Sequence, residues 1–425
     1  MKRTTAAIAL TAVTALSLTA CGRSSSPATS GSKTGAAISS GKATGTINLW
    51  AMGAEGDNLP KLVSAFETAN PGVKVNVTSI PWDAAHDKFK AAIAGSATPD
   101  VAMVGTTWMG EFGPGAFDPT PPSIDKSAFF DGAQKTTEVN GTSLGVPWYV
   151  ETRLIYYRTD LAAKAGITSP PTTWQGLHDM AKAMQTKAGA KWGIGLQPGG
   201  QGSWQSVMPF AWSNGADLTK DNGKAYNFDS PQLVEALTYY QSFFKDGIAD
   251  KAAAVQPTTD ADFASGKVPM FISGPWMMSV VEKAGGGAAF KAKYDVTPMP
   301  VKKTSSSFVG GSDLAVFKAS KNRDSAWKLV QFLIDPKTQV SWYGISTDLP
   351  SVKSAWQDPT LTADKKLAVF GKQLETAQAP PSFPTWEQVA ASFDSQIELV
   401  TKKGTDPAAA LKQVETDATS IGTGQ

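Results

Sequence analysis

Thr46-Ile47-Asn48-Leu49-Trp50, Val73-Lys74-Val75-Asn76-Val77 and Val101-Ala102-Met103-Val104 are the runs on which the fold turns. The first two alternate apolar and polar residues, the period of a half-buried strand, and the third is a short apolar run. Between the first two, Leu59, Leu62, Val63 and Phe66 fall on one helical face. Asp57 and Asn58 are candidate caps, Pro60 sits in the expected first turn, and Asn70-Pro71-Gly72 stops the helix. The second strand ends at Pro81-Trp82, and Asp83 opens another helix. A β-α-β-α-β order predicts a parallel sheet with right-handed crossovers, the α/β class.

Ligands of such sheets bind beyond the carboxyl ends of the strands. Those ends carry Trp50 with the Gly53–Gly56 loop and Glu55, then Trp82-Asp83, then Thr106-Thr107-Trp108. Two later strand-like runs also finish in tryptophan, Val146-Pro147-Trp148 and Phe271-Ile272-Ser273-Gly274-Pro275-Trp276. A single tryptophan is more often core. Five at strand ends, beside Gly, Pro, Thr or acids, suit a neutral polyhydroxylated ligand: rings stack on sugar C–H faces while polar groups read hydroxyls.

The rest of the composition narrows the function classes. The chain has 425 residues, room for two or three domains, and its 18% charged residues compare with about 25% in soluble chains at large. Lys plus Arg is 39 against 37 Asp plus Glu, and Lys2 and Arg3 account for the surplus. A body that is neutral overall has no electrostatic footprint for nucleic acid. Two histidines, His86 and His178, leave little material for His-based catalysis or a metal site, and no metal or cofactor is expected. One cysteine, Cys21, excludes an intramolecular disulfide.

Lys2 and Arg3 precede an apolar stretch from Ala6 to Ala20, the proportions of a secretory signal. Leu18-Thr19-Ala20-Cys21 resembles the bacterial lipoprotein box, which makes Cys21 a candidate lipidation site and the membrane a partner through acyl chains. Residues 1–20 are therefore read as a signal peptide. Residues 21–45, rich in Ser, Thr, Gly and Ala, are read as a flexible tether.

Further along, Leu154 to Arg158 reads as a strand and Thr173 as the cap of a helix bearing Leu177, Met180, Ala181 and Met184, with His178 off that stripe and solvated. Ser230 and Pro231 start a helix that Gly247 stops, and another runs from about Asp324 to Asp335, ending before Pro336.

Phe66-Glu67 with Asn70-Pro71-Gly72, Thr98-Pro99-Asp100-Val101, Pro147-Trp148-Tyr149-Val150-Glu151-Thr152-Arg153, Ala264-Ser265-Gly266-Lys267 leading to Gly274-Pro275-Trp276, Phe308-Val309-Gly310-Gly311-Ser312 and Pro384-Thr385-Trp386 occur in this order. Together they make the chain resemble the family 1 extracellular solute-binding proteins, the sugar-binding lipoproteins of ABC importers, on the trehalose/maltose-binding side. The resemblance implies two α/β lobes joined by crossing segments, a cleft between them, and hinge closure on the ligand. It places the first lobe at about 46–151 plus 299–346 and the second at about 152–298 plus 347–420. It implies no enzymatic activity. It also implies a monomer outside the cytoplasmic membrane that captures a di- or oligosaccharide and delivers it to permease subunits served by a cytoplasmic ATPase.

The binding positions that the resemblance implies are Glu55 and Trp108 at the first sheet, Glu151 and Arg153 at the first crossing, and Gln201 and Trp204 in the 197–204 loop. Trp276 and Trp386 correspond to stacking aromatics. Gly311, Ser312 and Asp313 begin a strand where small side chains let the backbone approach a ligand. Glu151 and Arg153 read equally as a structural salt bridge at the hinge, and Trp82, Trp148 and Trp212 equally as core.

Two rival functions compete with this reading. A secreted glycosidase needs two carboxylates roughly 5–10 Å apart, but no catalytic signature stands out. A binding protein for ferric ion or a polyamine would use paired tyrosines or an acidic aromatic box. However, Tyr156 and Tyr157 point to opposite faces of a strand, and Tyr240 belongs to an apolar helix stripe.

Overall fold

The computed structural model describes residues 34–253 and 259–425; Cys21, the expected signal segment and the first part of the expected tether lie outside them. In chain order the strands are β1 (Gly45–Met52), β2 (Val73–Ile80), β3 (Val101–Gly105) and the hairpin β4–β5 (Glu138–Val139, Thr142–Ser143). Next come β6 (Val146–Thr152), β7 (Leu154–Arg158) and a second hairpin, β8–β9 (Thr219–Lys220, Ala225–Tyr226). The last are β10 (Met270–Ser273), β11 (Tyr294–Thr297), β12 (Ser307–Val316), β13 (Leu349–Pro350) and β14 (Ala377–Gln378).

A seven-stranded sheet has the order β13-β6-β12-β3-β1-β2, with β14 paired to β12. β1 runs parallel to β2 and β3 as the β-α-β-α-β pattern predicts, but β12 is antiparallel to both β3 and β6. The sheet is therefore mixed rather than parallel throughout. A second sheet, β10-β7-β11, is antiparallel. Only Arg153 separates β6 in the first sheet from β7 in the second, so one residue carries the chain across at the first expected crossing.

Each sheet has its own core. Ile47, Leu49, Phe89, Val101, Trp148, Trp327 and Trp342 belong to the first, in which Trp148 and Trp342 stack with centroids 4.9 Å apart. Leu177, Met184, Trp212, Leu237, Tyr240, Trp386 and Phe393 belong to the second. A third cluster, with Phe130, Val150, Leu154, Tyr156, Phe271 and Phe370, packs where the sheets meet. Tyr156 lies in this third cluster and Tyr157 in the second, the opposite-face arrangement that strand geometry requires. Tyr239 stacks on Trp174 at 4.5 Å, so the paired tyrosines are packing residues.

Four local expectations need correction. The first helix starts at Gly53, not after Asp57, and the expected Gly53–Gly56 loop is its first turn. Gly53 makes that start possible: its φ is +53°, and a Cβ there would lie 2.7 Å from the Trp82 ring. Pro336 does not merely end a helix; with Asp335 as cap, accepting from the Lys337 and Thr338 amides, it begins another, Pro336–Ser346. His178 is half-buried rather than solvated, with Nε2 2.9 Å from Asp246 Oδ2.

The fourth concerns the tether. Its end is strapped to the first lobe: the Gly35 amide donates to Thr120 O at 3.0 Å, Arg323 Nη2 to Ala36 O at 2.8 Å, and the Thr44 amide to Ser325 Oγ at 3.0 Å. Ala43 is fully buried. Composition alone hides this, because the strap is held mostly by backbone hydrogen bonds, with Ile38 its one large apolar side chain packed on the first core.

Candidate functional site

The C-terminal ends of β1, β2 and β3, the C-terminal end of β6 and the N-terminal half of β12 lie at one edge of the first sheet, as the registers Ser312↔Gly105 and Val309↔Thr152 require. The second sheet reaches the same place through Leu154 and Ser273, which are paired neighbours. The space between is the cleft.

On the first-sheet side, Glu55 lies in the first turn of the helix that follows β1, where a carboxylate is favoured by the helix dipole. It accepts a hydrogen bond from the Tyr149 hydroxyl at 3.1 Å and another from the Trp82 side chain. Burial raises its pKa, and the charge of Glu151 pushes the same way. Tyr149 and Glu151 alternate along β6 and share a face, and Arg153 follows one residue beyond the end of that strand. Ser312 Oγ donates to the Tyr149 hydroxyl at 3.3 Å and so orients it. Asp348, next to β13, accepts from Trp342 Nε1 at 3.0 Å; burial, and then the charges of Glu55 and Glu151, lift its pKa to about 7.

At the crossing, Arg153 Nη1 donates to Glu151 Oε2 at 3.0 Å and Nη2 to Gln205 Oε1 at 3.1 Å. Its guanidinium lies 4.6 Å from the centre of the Trp276 ring, a cation–π contact. The pair is therefore a salt bridge at the junction of the two sheets, as the structural reading has it. On the second-sheet side a cavity of about 410 Å³ is lined by Arg153, Gln197, Gln201, Gln205, Ser273 and Trp276, among others. Asp394 fastens the loop that forms it, accepting from the amides of Gly202 (2.7 Å) and Trp204 (2.8 Å) and from Ser203 Oγ (2.9 Å).

Two series of contacts thus face the cleft, Trp82–Glu55–Tyr149 in the first lobe and Glu151–Arg153–Trp276 across the hinge. Their terminal tryptophans are 39% and 38% exposed, and they are the exposed tryptophans among the described residues. Trp108 is half-buried, edge-on to Trp82 with centroids 5.9 Å apart.

Of the expected site residues, Trp204, Trp386 and Asp313 are buried. Trp204 and Trp386 are buried against one another, centroids 5.0 Å apart and edge-on, and Trp386 has no exposed surface; both belong to the second core. Asp313 is fully buried, accepts from Thr136 Oγ1 at 3.0 Å, and is pushed by burial to a pKa of about 8. Gly311 stays partly exposed in the cleft half of β12, and the sheet also depends on it. Its φ is +115°, a Cβ would lie 2.2 Å from Tyr149 O, and the β12–β6 register slips between Ser312 and Asp313, a β-bulge. Ser312 is likewise buried and acts through Tyr149.

Sequence reasoning missed Tyr149, Gln205, Asp348 and Glu387 and left Trp82 open. Tyr149 was findable, two residues before Glu151 on the same strand face. Glu387, in the first turn of the helix Trp386–Glu398, accepts from Thr107 beside Trp108, and burial raises its pKa. It ties the second core to the end of β3, a contact between residues 280 positions apart that no local pattern announces. Among the described residues no group of three or more His, Cys, Asp or Glu is placed to hold a metal ion.

The family model "Bacterial extracellular solute-binding protein" matches residues 51–340. The galactooligosaccharide-binding protein of Bacillus subtilis is 26% identical over 95% of this chain and 94% of its own length. The diacetylchitobiose binding protein DasA of Streptomyces coelicolor is 27% identical over 94% of each. Among solved structures, the sugar-binding protein MalE from Xanthomonas citri superposes with a TM-score of 0.83 at 31% identity, covering 89% of this chain and 97% of that one. The GacH receptor of Streptomyces glaucescens shares the fold at TM-score 0.76. Two α/β lobes around a cleft and a match over more than half its length place the chain in one group: it belongs to the bacterial extracellular solute-binding proteins.

Proposed function

We propose that this protein captures a di- or oligosaccharide in the cleft and delivers it to the permease of an ABC importer. The observation that carries this reading is the pair of contact series, Glu55 and Tyr149 with the exposed Trp82, and Glu151 and Arg153 with the exposed Trp276. The two rings offer stacking faces, and the carboxylates, guanidinium and amides beside them match alternating hydroxyl donors and acceptors. The relatives and the MalE structure, named for sugars, point the same way. Gln201, exposed beside the 410 Å³ cavity, and Trp108 complete the proposed set.

The proposed lobes are about 46–151 plus 299–346 and 152–298 plus 347–420, with β13 returning briefly to the first sheet. Closure brings the walls onto the sugar, and the closed form docks on the permease. The protein makes and breaks no covalent bond in this cycle. Acylated Cys21 anchors the monomer outside the cytoplasmic membrane.

A thermal-shift screen of the purified chain against neutral disaccharides and oligosaccharides, with Fe³⁺ and spermidine as controls, tests the reading. Ligand at a hundred times its Kd stabilises the native state by about 2.7 kcal/mol, a readable rise in Tm. A response to spermidine or iron with silence from every sugar overturns it.

A further inference from the structure

The two walls of the cleft differ in charge. On the first-lobe wall Tyr149 holds Glu55 at 3.1 Å, and the β13–β6 register, Leu349↔Val150, sets Asp348 opposite Glu151, so three carboxylates of like charge stand together. Among the described residues neither Glu55 nor Asp348 takes part in an ion pair within 4.0 Å; their partners are the hydroxyl of Tyr149 and the indoles of Trp82 and Trp342. The cation at the junction, Arg153, is already engaged by Glu151, by Gln205 and by the Trp276 ring. The opposite wall offers the amides Gln197, Gln201 and Gln205 and the hydroxyls of Ser206 and Ser273, which carry no charge.

We propose that Glu55 and Asp348 form a charge filter that excludes anionic sugars, so that the cleft selects neutral or aminated oligosaccharides over uronic, aldonic or phosphorylated ones. The inference rests on the sugar-binding reading and deepens it. Two half-buried carboxylates without a compensating cation cost native stability, and perturbed acids in a cleft mark functional positions. A ligand bringing hydroxyl donors or an ammonium relieves their repulsion; one bringing a carboxylate or phosphate adds to it across a poorly solvated gap, where screening is weak.

The test compares two derivatives of the same sugar that differ in charge and little in shape. Maltose, cellobiose, lactose and melibiose are each prepared as the aldonic acid and as the 1-amino-1-deoxyalditol, and titrated calorimetrically against the full chain at pH 7.5 beside the unmodified sugar. For the sugar that binds, the amine derivative is expected to bind at least tenfold tighter than the acid. That ratio is expected to fall at least threefold in Glu55→Gln or Asp348→Asn, and to persist in Asp313→Asn, whose buried carboxyl lies outside the cleft. Should one of the two cleft variants fail to fold, the other still gives the ratio. An amine-to-acid ratio below ten in the native protein, or a ratio unchanged in the folded cleft variants, overturns the filter while leaving sugar capture intact. Failure of every neutral sugar overturns the sugar-binding reading itself.

Discussion

Two pairs of tryptophans look alike in the sequence and behave differently in the molecule. Trp82 and Trp276 follow strands, sit beside Pro and Gly, and stand more than a third exposed at the ends of the cleft. Trp204 and Trp386 begin helices, and their rings are buried against each other and against Phe308 and Phe228. All four are helix-start residues within one position, so local context does not separate them. What separates them is what lies opposite. The Arg153 guanidinium lies over the Trp276 ring, which stays 38% exposed, whereas Trp386 is enclosed in the second core with no exposed surface.

Four substitutions test that difference. The largest expected effect is on Trp386→Ala, which removes a fully buried ring from the second core. It should lower stability by about 3–5 kcal/mol in denaturant unfolding, with Trp386→Phe retaining sugar affinity within threefold. A loss below 1 kcal/mol, together with abolished binding, would return Trp386 to the cleft. Next is Trp276→Ala, expected to weaken sugar binding at least tenfold, about 1.4 kcal/mol, while Tm stays within about 2 °C. Affinity within a factor of two of the native protein would remove Trp276 as a platform.

A smaller effect belongs to Asp348→Asn. The folded carboxyl titrates at about 7 against an ordinary 3.8, so the native state holds a proton the unfolded chain has released. Native stability therefore falls as pH rises from about 4 to 7, and the penalty is complete above that. Asn, which keeps an acceptor for Trp342, should raise Tm by roughly 2–4 °C at pH 8 and leave it unchanged at pH 4. Equal Tm values at both pH values would show the carboxyl to be compensated. The smallest is Tyr149→Phe, which removes one donor from Glu55 at 3.1 Å. It should weaken binding by about 0.5–1.5 kcal/mol, read by calorimetry, with little change in fold.

Much of the frame is legible in the sequence. Alternation at 46–50 and 73–77 and the apolar run at 101–104 placed three strands and their parallel order, because side-chain period follows directly from backbone geometry. The Thr173 cap, accepting from the Gly176 amide at 3.1 Å, was likewise readable, since capping is a contact over three residues. Arg153 and Glu151 were legible as a pair through their two-residue spacing.

Position in sequence alone determined that this is an α/β body with strand ends rich in tryptophan, a neutral surface balance and one cysteine near its start. Only the tertiary structure decided which of those tryptophans meet solvent, that Gly311 serves a bulge, that Asp313 is core and Asp348 is cleft, and that Glu387 reaches Thr107. The reason is the range of the interaction. Periodicity and caps act over a few residues, whereas burial and charge compensation are set by segments that meet only after the sheets have assembled.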